Sequence, residues 1–139
     1  MTKDTTINET ETVAEQVLGW DHLEWWVGNA RAATAWLTSG FGFEVTAYRG
    51  PETGVHDRAS YLLEQGDIRF VVTAGLSPDS EVTKHVALHG DGIRNLAWRV
   101  ADPARVFEVA TRRGASAIAE PASEEFDEGT VRTAAIATY

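Results

Sequence analysis

No cysteine occurs anywhere in the 139 residues. That excludes a disulfide scaffold, a thiolate zinc site and a cysteine nucleophile, and it suits a reducing cytoplasm. No apolar run approaches the ~20 residues needed to span a bilayer. The opening stretch, MTKDTTINETETVAEQ, lacks the apolar core of a signal peptide. Cations are few, with Lys and Arg numbering 12 against 21 Asp and Glu, a formal net charge of -9. So acidic a surface repels phosphate backbones, and nucleic acid is not an expected partner. There is no GxGxxG, no P-loop and no GxSxG elbow, so nucleotide binding and α/β-hydrolase chemistry find no support. A soluble, cytoplasmic protein with no membrane partner is expected.

Hydrophobic residues make up 43% and charged residues 24%, ordinary values for a folded chain of this length. Residues 1–17 are polar, acidic and threonine-rich, and are expected to be a disordered lead-in. From residue 20 the pattern alternates. Trp20, His22, Glu24 and Trp26 share one face of a strand over 20–27, and Asp21, Leu23, Trp25 and Val27 share the other. Asn29 reads as a helix cap, Ala33, Trp36 and Leu37 as the apolar face toward the sheet, and Gly40 as the stop. Strands follow over 43–48, 58–65 and 68–74, the last two forming a hairpin around Gly66-Asp67. A connector (77–92) reads as a short helix capped by Ser77 or Asp79 and stopped by Gly90. A strand over 93–100 leads to Asp102-Pro103, an N-cap followed by proline at the first helical position. That helix ends at Gly114. A strand over 115–120, a polar loop from Pro121 and a final strand over 130–139 complete the pattern.

The two halves repeat. HLEWWVGNAR (22–31) lies over NLAWRVADPAR (95–105), so that His22 matches Asn95, Trp25 matches Trp98, and capping Asn29 matches capping Asp102. The expected class is α+β: two βαβββ units forming an open barrel of mixed β-sheet with helices outside. They occupy 18–76 and 93–139 of one domain over 18–139. The second unit lacks a counterpart of the fourth strand, and Tyr139 closes an apolar strand, so the chain is expected to be a fragment whose parent continues.

This plan is that of the vicinal-oxygen-chelate, or glyoxalase-like, fold. More specifically, GWDHLEWWVGNARAATAWLTSGFGFEVTAYRGPETG, RASYLLEQGDIRFVVTA, HVALHGDGIRNLAWRVAD, RGASAIAEP and GTVRTAAIATY resemble the N-terminal domain of the 4-hydroxyphenylpyruvate dioxygenase family. Hydroxymandelate synthases share the two-domain plan and are the alternative. The resemblance implies a parent with a second, C-terminal barrel in which two histidines and a glutamate hold Fe(II) facially, with positions left for a 2-oxo acid and dioxygen. It also implies an aromatic 2-oxo acid substrate, homogentisate as product, a homo-oligomer, and a partner surface for the parent's own catalytic barrel. A free-standing small-molecule-binding protein of the same fold, or a purely structural module, are the other readings.

Within this chain the resemblance assigns no catalytic, cofactor-binding or metal-ligating residue. His22 takes the first-strand position where related barrels place a ligand, but its repeat mate is Asn95, a poor iron ligand. The bland reading is an inward histidine satisfied by a polar neighbour. His85 and His89, four apart, share a helix face, yet residue 86 is valine and no third ligand is visible, so a surface helix end is expected. Glu124, Glu125, Asp127 and Glu128 lack EF-hand spacing and read as a solvated loop. Gly50, Gly54, Gly90 and Gly92 read as turn residues. Trp25, Trp36 and Trp98 are expected between helix and sheet, with Trp20 and Trp26 lining the barrel beside His22.

Overall fold

The computed structural model describes residues 12–137. After a 3₁₀ turn at Val13–Gln16 the order is β1 (Val17–Trp26), α1 (Ala30–Phe41), β2 (Glu44–Arg49), β3 (Arg58–Gln65), β4 (Ile68–Gly75), α2 (Glu81–His89), β5 (Gly92–Val100), α3 (Pro103–Arg112), β6 (Ser116–Phe126) and β7 (Gly129–Ala137). The chain divides into two compact units, one Trp20–Ala97 and the other joining the described residues up to Gly19 with those from Trp98 onward.

In the first unit the strands run in the order β2-β3-β4-β1-β5. β1 and β4 are parallel, with Glu24 beside Val71 and Trp26 beside Thr73, while β2–β3 and β3–β4 are antiparallel. A parallel pair needs a crossover, and α1 with the β2–β3 hairpin supplies it. Helix α1 covers one face of the sheet. Its Ala30 and Leu37 are buried with Phe43, Leu63 and Val72, and Trp25 and Phe70 pack against that cluster. Phe70 anchors the aromatic layer, 5.0 Å from Phe43 and 5.2 Å from Trp25 between ring centroids.

Helix α1 starts where the capping chemistry places it. Asn29 is extended at φ -143° and ψ 94°, and its side chain accepts from the Ala32 N–H at 2.9 Å. Its repeat mate Asp102 is nearly superimposable in dihedrals, at φ -142° and ψ 104°, and accepts from Ala104 and Arg105. The expected repeat is therefore real at its most local point. The stop is Gly42, not Gly40. Gly42 adopts φ 77°, its N–H bonds to the Thr38 carbonyl, and the Phe43 N–H bonds to Leu37. That reversal turns Phe43 into the core, which a stop two residues earlier would not do.

The second unit holds α3 and the antiparallel β6–β7 hairpin. Gln16 accepts from the Ala101 N–H at 2.9 Å, joining the start of β1 to the approach of α3. The acidic run corrects the sequence reading. Pro121 to Phe126 belong to β6, with Glu124 opposite Val131 and Glu125 opposite Thr130, so the loop shrinks to Asp127-Glu128. Solvent-facing strand residues need no apolar alternation, and the charges masked the strand.

Other expectations shift too. Ser80 caps α2 by position, not Ser77 or Asp79. Trp36 is 58% exposed and packs edge-on against Phe41 instead of facing the sheet; buried Ala30, Thr34 and Leu37 carry that face. Trp98 is half-exposed and does not repeat the core role of Trp25, and Trp20 is 59% exposed. The lead-in expectation falls mainly on residues 1–11, outside the described residues, while Val13–Gln16 is helical and β1 already begins at Val17. The α+β class and the mixed sheet stand; among the described residues the strands form a five-stranded and a two-stranded sheet, not one closed barrel.

Candidate functional site

Alternation along β1 puts His22, Glu24 and Trp26 on the sheet face opposite α1. There the first unit carries a cavity of about 530 Å³ whose lining includes His22, Glu24, Arg49, Arg58, Ser60 and Val71. Glu24 organises its floor. One carboxylate oxygen accepts from the Trp26 indole N–H at 2.9 Å and from the Thr73 hydroxyl at 3.3 Å. The other accepts from the Asn95 side-chain amide. Thr73 is fully buried. Because its single proton goes to Glu24, the hydroxyl of Ser60, 2.8 Å away, is the donor to Thr73. A relay Ser60–Thr73–Glu24–Asn95 thus ties together β3, β4, β1 and β5. Trp26 is 5% exposed and held from two further sides, by the edge of His85 at 5.1 Å and by the Arg94 guanidinium at 5.1 Å from its ring centroid.

His22 stands at the cavity with Nδ1 2.7 Å from Asp21 Oδ2, and Asp21 also lies 3.7 Å from Arg69. The polar neighbour expected for His22 is thus Asp21. Arg58 makes two hydrogen bonds to Asp57, at 2.8 and 3.0 Å. They hold the Asp57 carboxyl below its usual range and raise Arg58. At the neighbouring turn the Tyr48 phenol donates to Glu52 at 2.7 Å, which pushes Tyr48 up to about 12 and lowers Glu52.

These groups do not suit Fe(II). A facial site needs convergent lone pairs from two or three side chains. Glu24 accepts from three donors and Asn95 presents an amide N–H, so His22, with Nδ1 on Asp21, is left without a second ligand beside it. Among the described residues no three His, Asp or Glu side chains converge on a common point. Chemically the face is a locked polar floor, suited to fixing strand pairing.

His85 and His89 do share a face, with ring centroids 4.6 Å apart. His89 is exposed at the end of α2, as expected, whereas His85 packs on Trp26, and its partial burial, His89 and Arg94 together lower its pKa. Helix α2 approaches β4 so closely at Gly75 that a Cβ there would sit 2.1 Å from Thr83 Oγ1 and 2.8 Å from the Thr83 backbone nitrogen. Only glycine fits. The sequence reading passed over Glu24, although its place between His22 and Trp26 on one strand face was visible and a half-buried carboxylate requires donors.

Residues 8–132 match the sequence model of the Glyoxalase/Bleomycin resistance protein/Dioxygenase superfamily. The chain is 37% identical over 135 residues to 4-hydroxyphenylpyruvate dioxygenase of Aspergillus fumigatus, covering 87% of this chain and 34% of that protein. It is 40% identical to the enzymes of the same name from Tetrahymena thermophila and Xenopus tropicalis, each alignment covering 88% of this chain and 31% of the relative. The chain thus spans about a third of the length of the curated relatives it matches. Among solved structures, a variant 4-hydroxymandelate synthase from Streptomyces coelicolor superposes with a TM-score of 0.81 at 33% identity, covering 87% of this chain and 35% of that one. Methylmalonyl-CoA epimerase from Mycobacterium tuberculosis, at TM-score 0.66 and 19% identity over 91% of this chain and 82% of its own, shares the fold.

Proposed function

Because the chain belongs to the glyoxalase/bleomycin resistance protein/dioxygenase superfamily, we propose that it is the N-terminal, non-catalytic domain of a 4-hydroxyphenylpyruvate dioxygenase. The observation that carries this reading is the pairing of 37–40% identity over nearly nine-tenths of this chain with coverage of only about a third of each relative. In this reading the parent converts 4-hydroxyphenylpyruvate and dioxygen to homogentisate and carbon dioxide in tyrosine and phenylalanine catabolism. Fe(II), held by two histidines and a glutamate of a second barrel, supplies oxygen activation there. The present residues contribute a rigid scaffold, which packs on the catalytic barrel and helps assemble a cytoplasmic homo-oligomer.

The donor inventory of the cavity supports a scaffold role. The Glu24 carboxylate, on the same strand face as His22, is committed to strand cross-linking, so the polar face stabilises the sheet without offering a ligand set. A second reading draws on the 0.81 TM-score to the mandelate synthase variant, which makes the parent a 4-hydroxymandelate synthase. Both readings predict that this chain, mixed with Fe(II), ascorbate and 4-hydroxyphenylpyruvate, consumes no oxygen above the protein-free control. Turnover under those conditions would overturn both.

A further inference from the structure

Strand β2 is the outer strand of the five-stranded sheet, so among the described residues one side of its backbone is paired to no strand. Its sequence is Glu44-Val45-Thr46-Ala47-Tyr48-Arg49, an acid at one end and a base at the other. Pairing with β3 fixes which way each residue faces. Val45 and Tyr48 lie opposite Leu63 and Tyr61, on the α1 side of the sheet, while Glu44 and Arg49 lie opposite Glu64 and Ser60, on the cavity side. A one-residue irregularity at Thr46 keeps both ends in phase with their faces.

We propose that β2 pairs antiparallel with β2 of a second copy of this chain across a two-fold axis between Thr46 and Ala47. In that register Glu44 meets the second copy's Arg49, and Arg49 meets the second copy's Glu44. Val45 meets the second copy's Tyr48 on the opposite face, so every cross-strand pair joins residues of the same face. A slip by one residue would set mismatched faces against each other, which fixes the register. An isologous contact brings a surface against itself, so an acidic patch is repelled by its own copy. The chain carries a net charge of -9, yet the β2 edge is neutral and becomes charge-complementary under a two-fold. Those two properties select a second copy over an unrelated acidic or basic segment. Five of the six residues are exposed and Tyr48 is half-buried, leaving the edge open to such pairing.

The inference deepens the homo-oligomer of the reading above, and rests on it. Sedimentation equilibrium tests it without reference to catalysis, so its failure is distinguishable from failure of the dioxygenase assignment. The 139-residue chain is expected to sediment as a dimer at micromolar concentration. Glu44→Arg and Arg49→Glu should each weaken the dimer by about tenfold or more, because two like-charge pairs replace two opposite ones. Mixing the two variants in equal amounts should restore a mixed dimer, since both contacts then join opposite charges. Circular dichroism confirms that each variant is folded, and recovery on mixing guards against a folding defect. A monomeric wild type, a dimer indifferent to both substitutions, or a mixture that stays monomeric would each overturn the proposal.

Discussion

Replacing Glu24 by alanine tests whether the cavity floor is a structural strap. The carboxylate accepts from three donors, and they differ in what they can do without it. Asn95 is exposed and turns to water. Thr73 is fully buried, but its proton can swing to Ser60, 2.8 Å away, if Ser60 reverses its own role. The Trp26 indole N–H, on a side chain 5% exposed, has no such recourse. An orphaned buried donor costs ~1–3 kcal/mol. Glu24→Ala should therefore destabilise by about 2 kcal/mol, chiefly through Trp26. Glu24→Gln keeps an acceptor for both Trp26 and Thr73 and should cost less than about 1 kcal/mol. In a Ser60→Ala background Thr73 loses its alternative acceptor, so the Glu24→Ala penalty should grow by roughly 1 kcal/mol, read as coupling in a double-mutant cycle. The assay is urea denaturation followed by tryptophan fluorescence. Equal stabilities for the alanine and glutamine variants, with no coupling to Ser60, would refute the strap.

Two glycines two residues apart should respond in opposite senses. Gly40 lies inside α1 with open space where a Cβ would go, so Gly40→Ala should stabilise by ~0.5–1 kcal/mol. Gly42→Ala should destabilise by about 1 kcal/mol or more, because φ 77° strains an L side chain; matching thermal melts for the two variants would contradict the assigned stop. His85 gives a pH signature. Partial burial, then His89 and Arg94, set its folded pKa below the ordinary value, so the neutral imidazole is the one the fold prefers. Its share of stability is complete above the unfolded pKa of about 6.5 and is lost as pH falls from there through the lower folded value. His85→Gln should flatten stability against pH over that window, and an NMR titration placing His85 at or above its ordinary pKa would count against the packing on Trp26.

The sequence disclosed those parts of the fold whose cause is local. Asn29 and Asp102 announce helix starts because their side chains satisfy amides two or three residues on, whatever the rest of the chain does. Gly66-Asp67 likewise closes the β3–β4 hairpin with Gly66 at φ 58°. Where tertiary packing chooses between local equivalents, the sequence was mute. Gly40 and Gly42 are equally good stops until Phe43 has to reach the core. Thr34 sits on the buried face of α1 and hid the true stripe, which let Trp36 take its place in the periodicity. In β6 the acidic residues are solvent-facing strand positions, and polarity alone cannot distinguish these from a loop. The cavity suffered from the same blindness. His22 drew attention as a chemically versatile residue, whereas Glu24 gains its role only from Thr73 and Asn95, 49 and 71 residues away along the chain.

The most direct measurement of the central claim is product analysis on the full open reading frame that contains this sequence. Expressed, supplied with Fe(II) and given 4-hydroxyphenylpyruvate in air, its product should form homogentisate, with substitution of two histidines and a glutamate outside the present 139 residues abolishing turnover and His22→Ala leaving it intact. Homogentisate formation that survives loss of the downstream sequence, or that vanishes specifically with His22→Ala in a folded protein, would contradict the account.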